Sequence, residues 1–189
     1  MDVTEVTVGA YRACVNAGRC SQPGTEQYCN WSSSGKENHP INCIDWHQAR
    51  AFATWAGGRL PTESEWVFAA RSGGRKELYA GGDDIVTRAW YSENSGGSTQ
   101  PVGLKAPNGL GLFDMSGNVW EWCRDIYDPA GPAASGREGS DERNESRERV
   151  IRGGSWNLDA WSARCSRRLG FREDYFGAGL GFRLAKAIG

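Results

Sequence analysis

The chain has 189 residues and a formal net charge of −1. That length predicts one domain, burying about two-thirds of the surface its unfolded chain would expose. The balanced charge excludes a whole-molecule field that would draw the protein to nucleic acid or to an anionic membrane. No apolar run is long enough for a membrane-spanning helix, and no secretory leader is visible.

Glycine (26) and tryptophan (9) are abundant, whereas methionine (2) is scarce. Many glycines imply tight turns and short helices. Large indoles supply anchors where regular structure is sparse. Six cysteines, four of them before residue 44, occur without a Cys-x-x-Cys pair and beside only two histidines. That pattern disfavours zinc and favours disulfides in an oxidising, extracytoplasmic setting. Buried free thiols are the alternative, and spacing alone does not choose the connectivity.

In chain order, Met1-Asp2-Val3-Thr4-Glu5-Val6 alternates like the end of a strand. Thr7 caps a predicted helix running to about Ala17, with Val8, Tyr11, Ala13 and Val15 apolar and Gly18 as the stop. Residues 19–44 are polar and hold three cysteines, so they need covalent or metal support. Asp45 and Gln48 form a capping box for a second helix, to about Ala56, whose apolar face is Trp46, Ala49, Phe52, Ala53 and Ala56. Thr62 and Glu65 form another box for a third helix, to about Arg71. Glu63 and Glu65 therefore read as capping and dipole-facing groups, not catalytic acids. Residues 75–111 read mostly as turns. Residues 130–149 are polar with balanced charge and read as a mobile surface loop. Val150-Ile151-Arg152 reads as a strand, and residues 180–185 as a closing one. No nucleophile triad or phosphate loop is present, and His39 and His47 read as structural.

Two stretches carry most of the chemistry. Residues 112–122 gather two carboxylates, an amide and two indoles. Arg152-Gly153-Gly154-Ser155-Trp156 follows, closed by Gly181-Phe182-Arg183. With Gly58-Arg59-Leu60-Pro61-Thr62-Glu63-Ser64-Glu65-Trp66 and Gly117-Asn118-Val119-Trp120-Glu121-Trp122, these motifs occur in an order that resembles the formylglycine-generating enzyme, or sulfatase-modifying factor, family. The resemblance implies an irregular, loop-rich α+β fold of C-type-lectin type, a single domain over residues 1–189, and an N-terminal β segment that this chain lacks.

The family's enzymes oxidise a sulfatase cysteine to formylglycine using copper on two cysteines after the Gly-Gly-Ser motif. Here residues 156–164 contain none, and Cys165 matches a neighbouring structural cysteine. Cu(I) needs soft thiolate ligands, so copper is not expected. The alternatives that stay open are an oxidoreductase of this type using other residues and a sensor domain of a larger protein. The family also implies a calcium site, matched by Asp114, Glu121 and the carbonyls of Gly117 and Val119. The competing reading has Asp114 capping a turn and Glu121 pairing with Arg152 or Arg183. A second family calcium site would need an amide before Trp90, where Arg88 stands.

The same fold and C-terminal motifs resemble the variable proteins of diversity-generating retroelements, which display ligand-contacting residues between Gly-Gly-Ser-Trp and Gly-Phe-Arg. The matching positions are Asn157, Leu158, Asp159, Trp161, Ser162, Arg168, Phe171, Arg172, Asp174, Tyr175 and Phe176. The expected function is thus a non-catalytic module that binds a protein or other macromolecular ligand. Expected disulfides are Cys29–Cys43 across a polar loop, Cys14–Cys20 at the first helix end, and Cys123–Cys165 beside two family motifs.

Overall fold

The computed structural model describes residues 1–130 and 148–186. The loop expected at 130–149 lies almost entirely outside the described residues. Three short helices start where the capping residues place them. α1 spans Val8–Asn16, and the Thr7 hydroxyl accepts from the Ala10 N–H. Cys14, not Ala13, completes its buried face with Val8 and Tyr11. α2 (Trp46–Trp55) and α3 (Glu63–Ala70) both begin with complete capping boxes. A single helical turn, α4 (Ile85–Arg88), lies within the stretch expected to be mostly turns; Asp84 caps it.

Four strands form one sheet in the order β3-β2-β1-β4. β1 (Trp120–Ile126) pairs antiparallel with β2 (Glu148–Arg152), β2 pairs antiparallel with β3 (Arg168–Arg172), and β1 pairs parallel with β4 (Leu180–Gly181). β1 and β3 were not legible as strands. The closing strand is far shorter than expected, with only an isolated bridge from Ala185 to Arg59 beyond it. The opening residues form no ladder; they lie beside residues 182–184 through Asp2 N–H to Leu184 O and Val6 N–H to Phe182 O.

The first four residues of β1, Trp120 to Cys123, are buried on both faces. Trp120 and Trp122 enter one core cluster with Tyr11, Ile44, Phe52 and Phe182. Between and after them, Glu121 meets Trp66, and Cys123 joins a second cluster with Trp66, Met115 and Val150. A strand that separates two cores fixes everything hung from its ends. The indoles also tie loops to it: Trp46 Nε1 donates to Cys123 O (2.9 Å) and Trp122 Nε1 to Ile44 O (3.0 Å).

Candidate functional site

Glu121 is fully buried and faces the equally buried Arg183 through two charge-assisted bonds of 2.7 Å, while Trp66 Nε1 donates to the same carboxylate at 2.7 Å. Arg183 also donates to the carbonyl of Phe113 (2.8 Å) and, at longer range, to those of Asp2 and Val3. Of the two arginines expected to compete for Glu121, Arg183 takes it. Arg152 instead pairs with Glu63 (2.8 Å), which Arg168 also holds (2.7 and 3.0 Å). Glu63 is therefore more than a helix-dipole group. It is a buried counter-ion shared by two guanidiniums, and its first-turn position disguised that role.

The turn before β1 places Asp114 (φ 57°), Gly117 (φ 79°) and Asn118 (φ 58°) in left-handed conformations. At Gly117 a side chain is excluded outright, because a Cβ would collide with the carbonyl oxygen of Trp90. Asp114 is buried; its Oδ2 accepts from the Gly103 N–H (2.7 Å) and its Oδ1 has no partner. Burial pushes its carboxyl up to about 6, against the opposing pull of the Gly103 N–H and Arg183. Glu5 accepts from Asn118 Nδ2 (2.9 Å) and the Val119 N–H (3.2 Å). Burial first, then Asp114 and Glu121, hold Glu5 well above the usual carboxylate range.

Three buried carboxylates thus face one guanidinium. An unused buried oxygen on Asp114 and uncompensated negative charge fit a hard divalent cation. Glu121 fits less freely, since Arg183 and Trp66 already occupy most of its acceptor capacity. Among the described residues, the one group of three metal-type ligand atoms within 4.8 Å of one another is Glu26, Cys29 and Cys43, and both of those sulfurs are in a disulfide.

Cys14–Cys20 and Cys29–Cys43 are disulfides, as two of the expected pairings require. The third is corrected: Cys123 and Cys165 are free, and both pack as small apolar groups in the second core cluster. Burial pushes Cys165 up to about 12 and Cys123 well above its ordinary range. Neither offers the accessible thiolate that copper or nucleophilic chemistry needs. His39 is also structural: its Nδ1 lies 3.0 Å from the Thr99 hydroxyl, and burial lowers it to about 4. His47 pairs with Glu173 at 3.3 Å.

The expected recognition residues divide into scaffold and display. Leu158 packs against the first core cluster, and Arg168 is held by Glu63. Asn157 is tied to Ser155, and Asp159 caps its turn through Ser162. Phe171 is partly buried and stacks on Tyr175 with ring centroids 4.3 Å apart. Trp161 (49% exposed), Tyr175 (44%) and Phe176 (42%) face solvent. Arg172 and Asp174 pair with each other on the surface at 2.7 Å. A groove of about 370 Å³ gathers Phe171, Arg172, Asp174, Tyr175 and Phe176 with Glu148. A smaller cavity of about 240 Å³ joins Trp161 and Arg168 to Tyr127, Pro129, Arg164, Ser166 and Arg167. The sequence reading missed those last five. The run Arg164-Cys165-Ser166-Arg167-Arg168, with three arginines in five residues, was the available signal.

A family model described as the sulfatase-modifying factor enzyme 1-like domain matches residues 1–188. The formylglycine-generating enzyme of Streptomyces coelicolor is 37% identical over 169 residues, covering 80% of this chain and 54% of that protein. The inactive C-alpha-formylglycine-generating enzyme 2 of Mus musculus is 35% identical over 167 residues, covering 79% of this chain and 50% of that protein. Among solved structures, Treponema denticola variable protein 1 superposes with a TM-score of 0.72 at 26% identity, covering 95% of this chain and 81% of that one. The chain spans about half the length of these two curated relatives. Its motifs, its irregular α+β fold and these matches agree: the chain belongs to the sulfatase-modifying factor, or formylglycine-generating enzyme-like, family.

Proposed function

We propose that this domain is a non-catalytic binding module that presents residues 156–180 to a macromolecular ligand outside the cytoplasm. The observation that carries this reading is how the segment is anchored. Trp156 N–H donates to Asn118 O (2.8 Å), Ser92 N–H to Leu158 O (2.9 Å) and Cys165 N–H to Leu78 O (2.9 Å). Further on, Trp46 N–H donates to Glu173 O (3.0 Å), Cys43 N–H to Gly177 O (3.1 Å) and Trp120 N–H to Gly179 O (2.7 Å). These are main-chain bonds, indifferent to the side chains between them. Such a segment holds its course while its exposed residues change, which is what a diversified recognition surface requires. Exposed aromatic rings on a fixed backbone are effective contact groups because little entropy is lost on binding. The likeness to a Treponema variable protein supports the same reading, and the two disulfides suit an extracytoplasmic setting. Calcium at Asp114, with the Gly117 and Val119 carbonyls and a shared Glu121, would serve as a structural ion beneath this surface.

A second reading is a formylglycine-generating oxidoreductase, favoured by the 37% identity to such an enzyme. It ranks below the first because residues 156–164 lack cysteine and both free thiols are buried. The test has two arms. Replacement of the exposed rings (W161D and the Y175D/F176D pair) should leave the melting temperature within a few degrees of wild type and abolish capture of any ligand the wild type retains specifically. Cu(I) titration with a cysteine-containing sulfatase peptide should give no formylglycine. Formylglycine product, or ligand retention unchanged in the ring variants, would overturn the binding-module reading.

A further inference from the structure

The cavity of about 240 Å³ beside the recognition segment has a composition its neighbours lack: three guanidiniums line one small space. Arg168 is a fixed wall, held by Glu63 and by the Asp128 carbonyl. Arg164 and Arg167 are different. The Nε of each is shielded from solvent and makes no hydrogen bond, and among the described residues neither has an ion-pair partner. Arg167 is pre-positioned by stacking 4.1 Å from the Trp161 ring centroid, and Arg168 lies 4.6 Å from that of Tyr127.

Among the described residues, the nearby acids do not neutralise this set. Glu63 is already shared between Arg152 and Arg168. Asp159 feels Arg167, but its carboxylate is spent on Ser162. Asp128 acts on Arg168, and its Oδ1 accepts from the Ala130 N–H. Like charges gathered on one small space are costly unless a ligand supplies the counter-charge.

We propose that this arginine-lined cavity is an oxyanion-binding site that takes a phosphate or sulfate group. Guanidinium forks match such oxygens in pairs. Arg164 and Arg167 come from one turn, closed by the Arg167 N–H to the Arg164 carbonyl (2.9 Å), and Arg168 joins them from β3. Ser166 stands exposed at the rim and adds a hydroxyl. The site goes beyond the recognition surface proposed above, because it holds whether or not residues 156–180 bind a macromolecule, and its test reads a small ion.

The test is calorimetric titration of the whole chain with inorganic phosphate, inorganic sulfate and acetate in low-salt buffer. Saturable binding of phosphate or sulfate, tighter than acetate, is expected. R164Q and R167Q should each weaken it by roughly tenfold or more. S166E, on an exposed position that folding does not need, should block it with an internal carboxylate, so a misfolded arginine variant would not leave the matter open. R19Q, which removes an exposed guanidinium on the loop after α1, should bind as the wild type does. O-phosphoserine amide run beside inorganic phosphate separates the sources: tighter binding of the ester assigns a monoester ligand, and equal or weaker binding assigns the free ion. No saturable oxyanion binding, or binding unchanged in both S166E and R164Q, would overturn the site.

Discussion

The buried charge cluster makes a prediction whose sign is unusual. Removing one partner from a buried ion pair costs about 3–5 kcal/mol, because the other is left desolvated and alone. Here the two partners are not equivalent. In E121Q, Arg183 still faces Glu5 and Asp114, and the amide oxygen can still accept from Arg183 or Trp66. The loss should be on the order of 1–2 kcal/mol. In R183M, three buried carboxylates are left with only Lys105, which acts on Asp114, and the Phe113 carbonyl loses its donor. That loss should reach about 5 kcal/mol, comparable with the whole stability of a modest domain. The carboxyls of Glu5 and Asp114 already sit above their unfolded values. A carboxyl raised in the folded state binds its proton more tightly there, so stability falls as pH rises from the unfolded pKa to the folded one. Without Arg183 those folded values rise further. The R183M deficit should therefore shrink between pH 7.5 and pH 5.5, while the E121Q deficit should grow slightly, because Glu121 is one of the charges that raise Glu5 and Asp114. Urea unfolding followed by tryptophan fluorescence at the two pH values measures both. An R183M loss no larger than that of E121Q, or one that does not change with pH, would refute the view of three acids balanced on one arginine.

Two further outcomes follow from the same region and from the loop beside it. If calcium occupies the Asp114 turn, a chelator should lower the wild-type melting temperature by about 5–10 °C when the ion had been present near 100 times its dissociation constant. D114N should lose that response yet, in chelator at pH 7.5, be no less stable than the wild type, since a carboxyl at about 6 must ionise while buried; a wild type indifferent to chelator rules the ion out. The Cys29–Cys43 disulfide closes a loop of sequence separation 14, so C29S/C43S should cost about 3 kcal/mol in the chain-entropy model, against about 2 for C14S/C20S. Equal losses measured by denaturant would show that native packing, not loop closure, sets the value.

What the sequence reveals here is what local chemistry decides. Thr7, Asp45 and Thr62 announce their helices because a side-chain oxygen must meet a free N–H within three residues. β1 and β3 were hidden for opposite reasons. In β1, Trp120 to Cys123 are buried on both faces, so the charged Glu121 between two indoles reads as a site residue and not as the solvent side of a strand. β3 borders the recognition segment and is nowhere fully buried, so its polar residues read as loop. Glu63 illustrates a third limit. Its position in the first turn of α3 explains its presence locally, yet its partners Arg152 and Arg168 lie on strands far along the chain. Long-range ion pairs leave no periodic trace. The expected Cys123–Cys165 bond failed for a related reason: adjacency to two motifs says nothing about where the sulfurs point, and both turned into an apolar core.

The division between buried hub and displayed segment also bears on why the family's copper cysteines can be absent without loss of the fold. A metal site is structural only when its ligands hold elements together. Here residues 153–165 are held by other means. Gly117 N–H donates to Gly153 O (2.8 Å), Gly154 packs directly against Ala163, and the Ser116 hydroxyl donates to Ala163 O (2.8 Å). Arg152 reaches across to the carbonyls of Cys165 and Arg167. Every one of these contacts ends on a backbone atom or on a glycine. The segment that carries the family's redox chemistry is therefore clamped from beneath by the Asp114-to-Glu121 turn and by Arg152, independently of the side chains it displays. The course of this segment therefore does not depend on a cysteine pair.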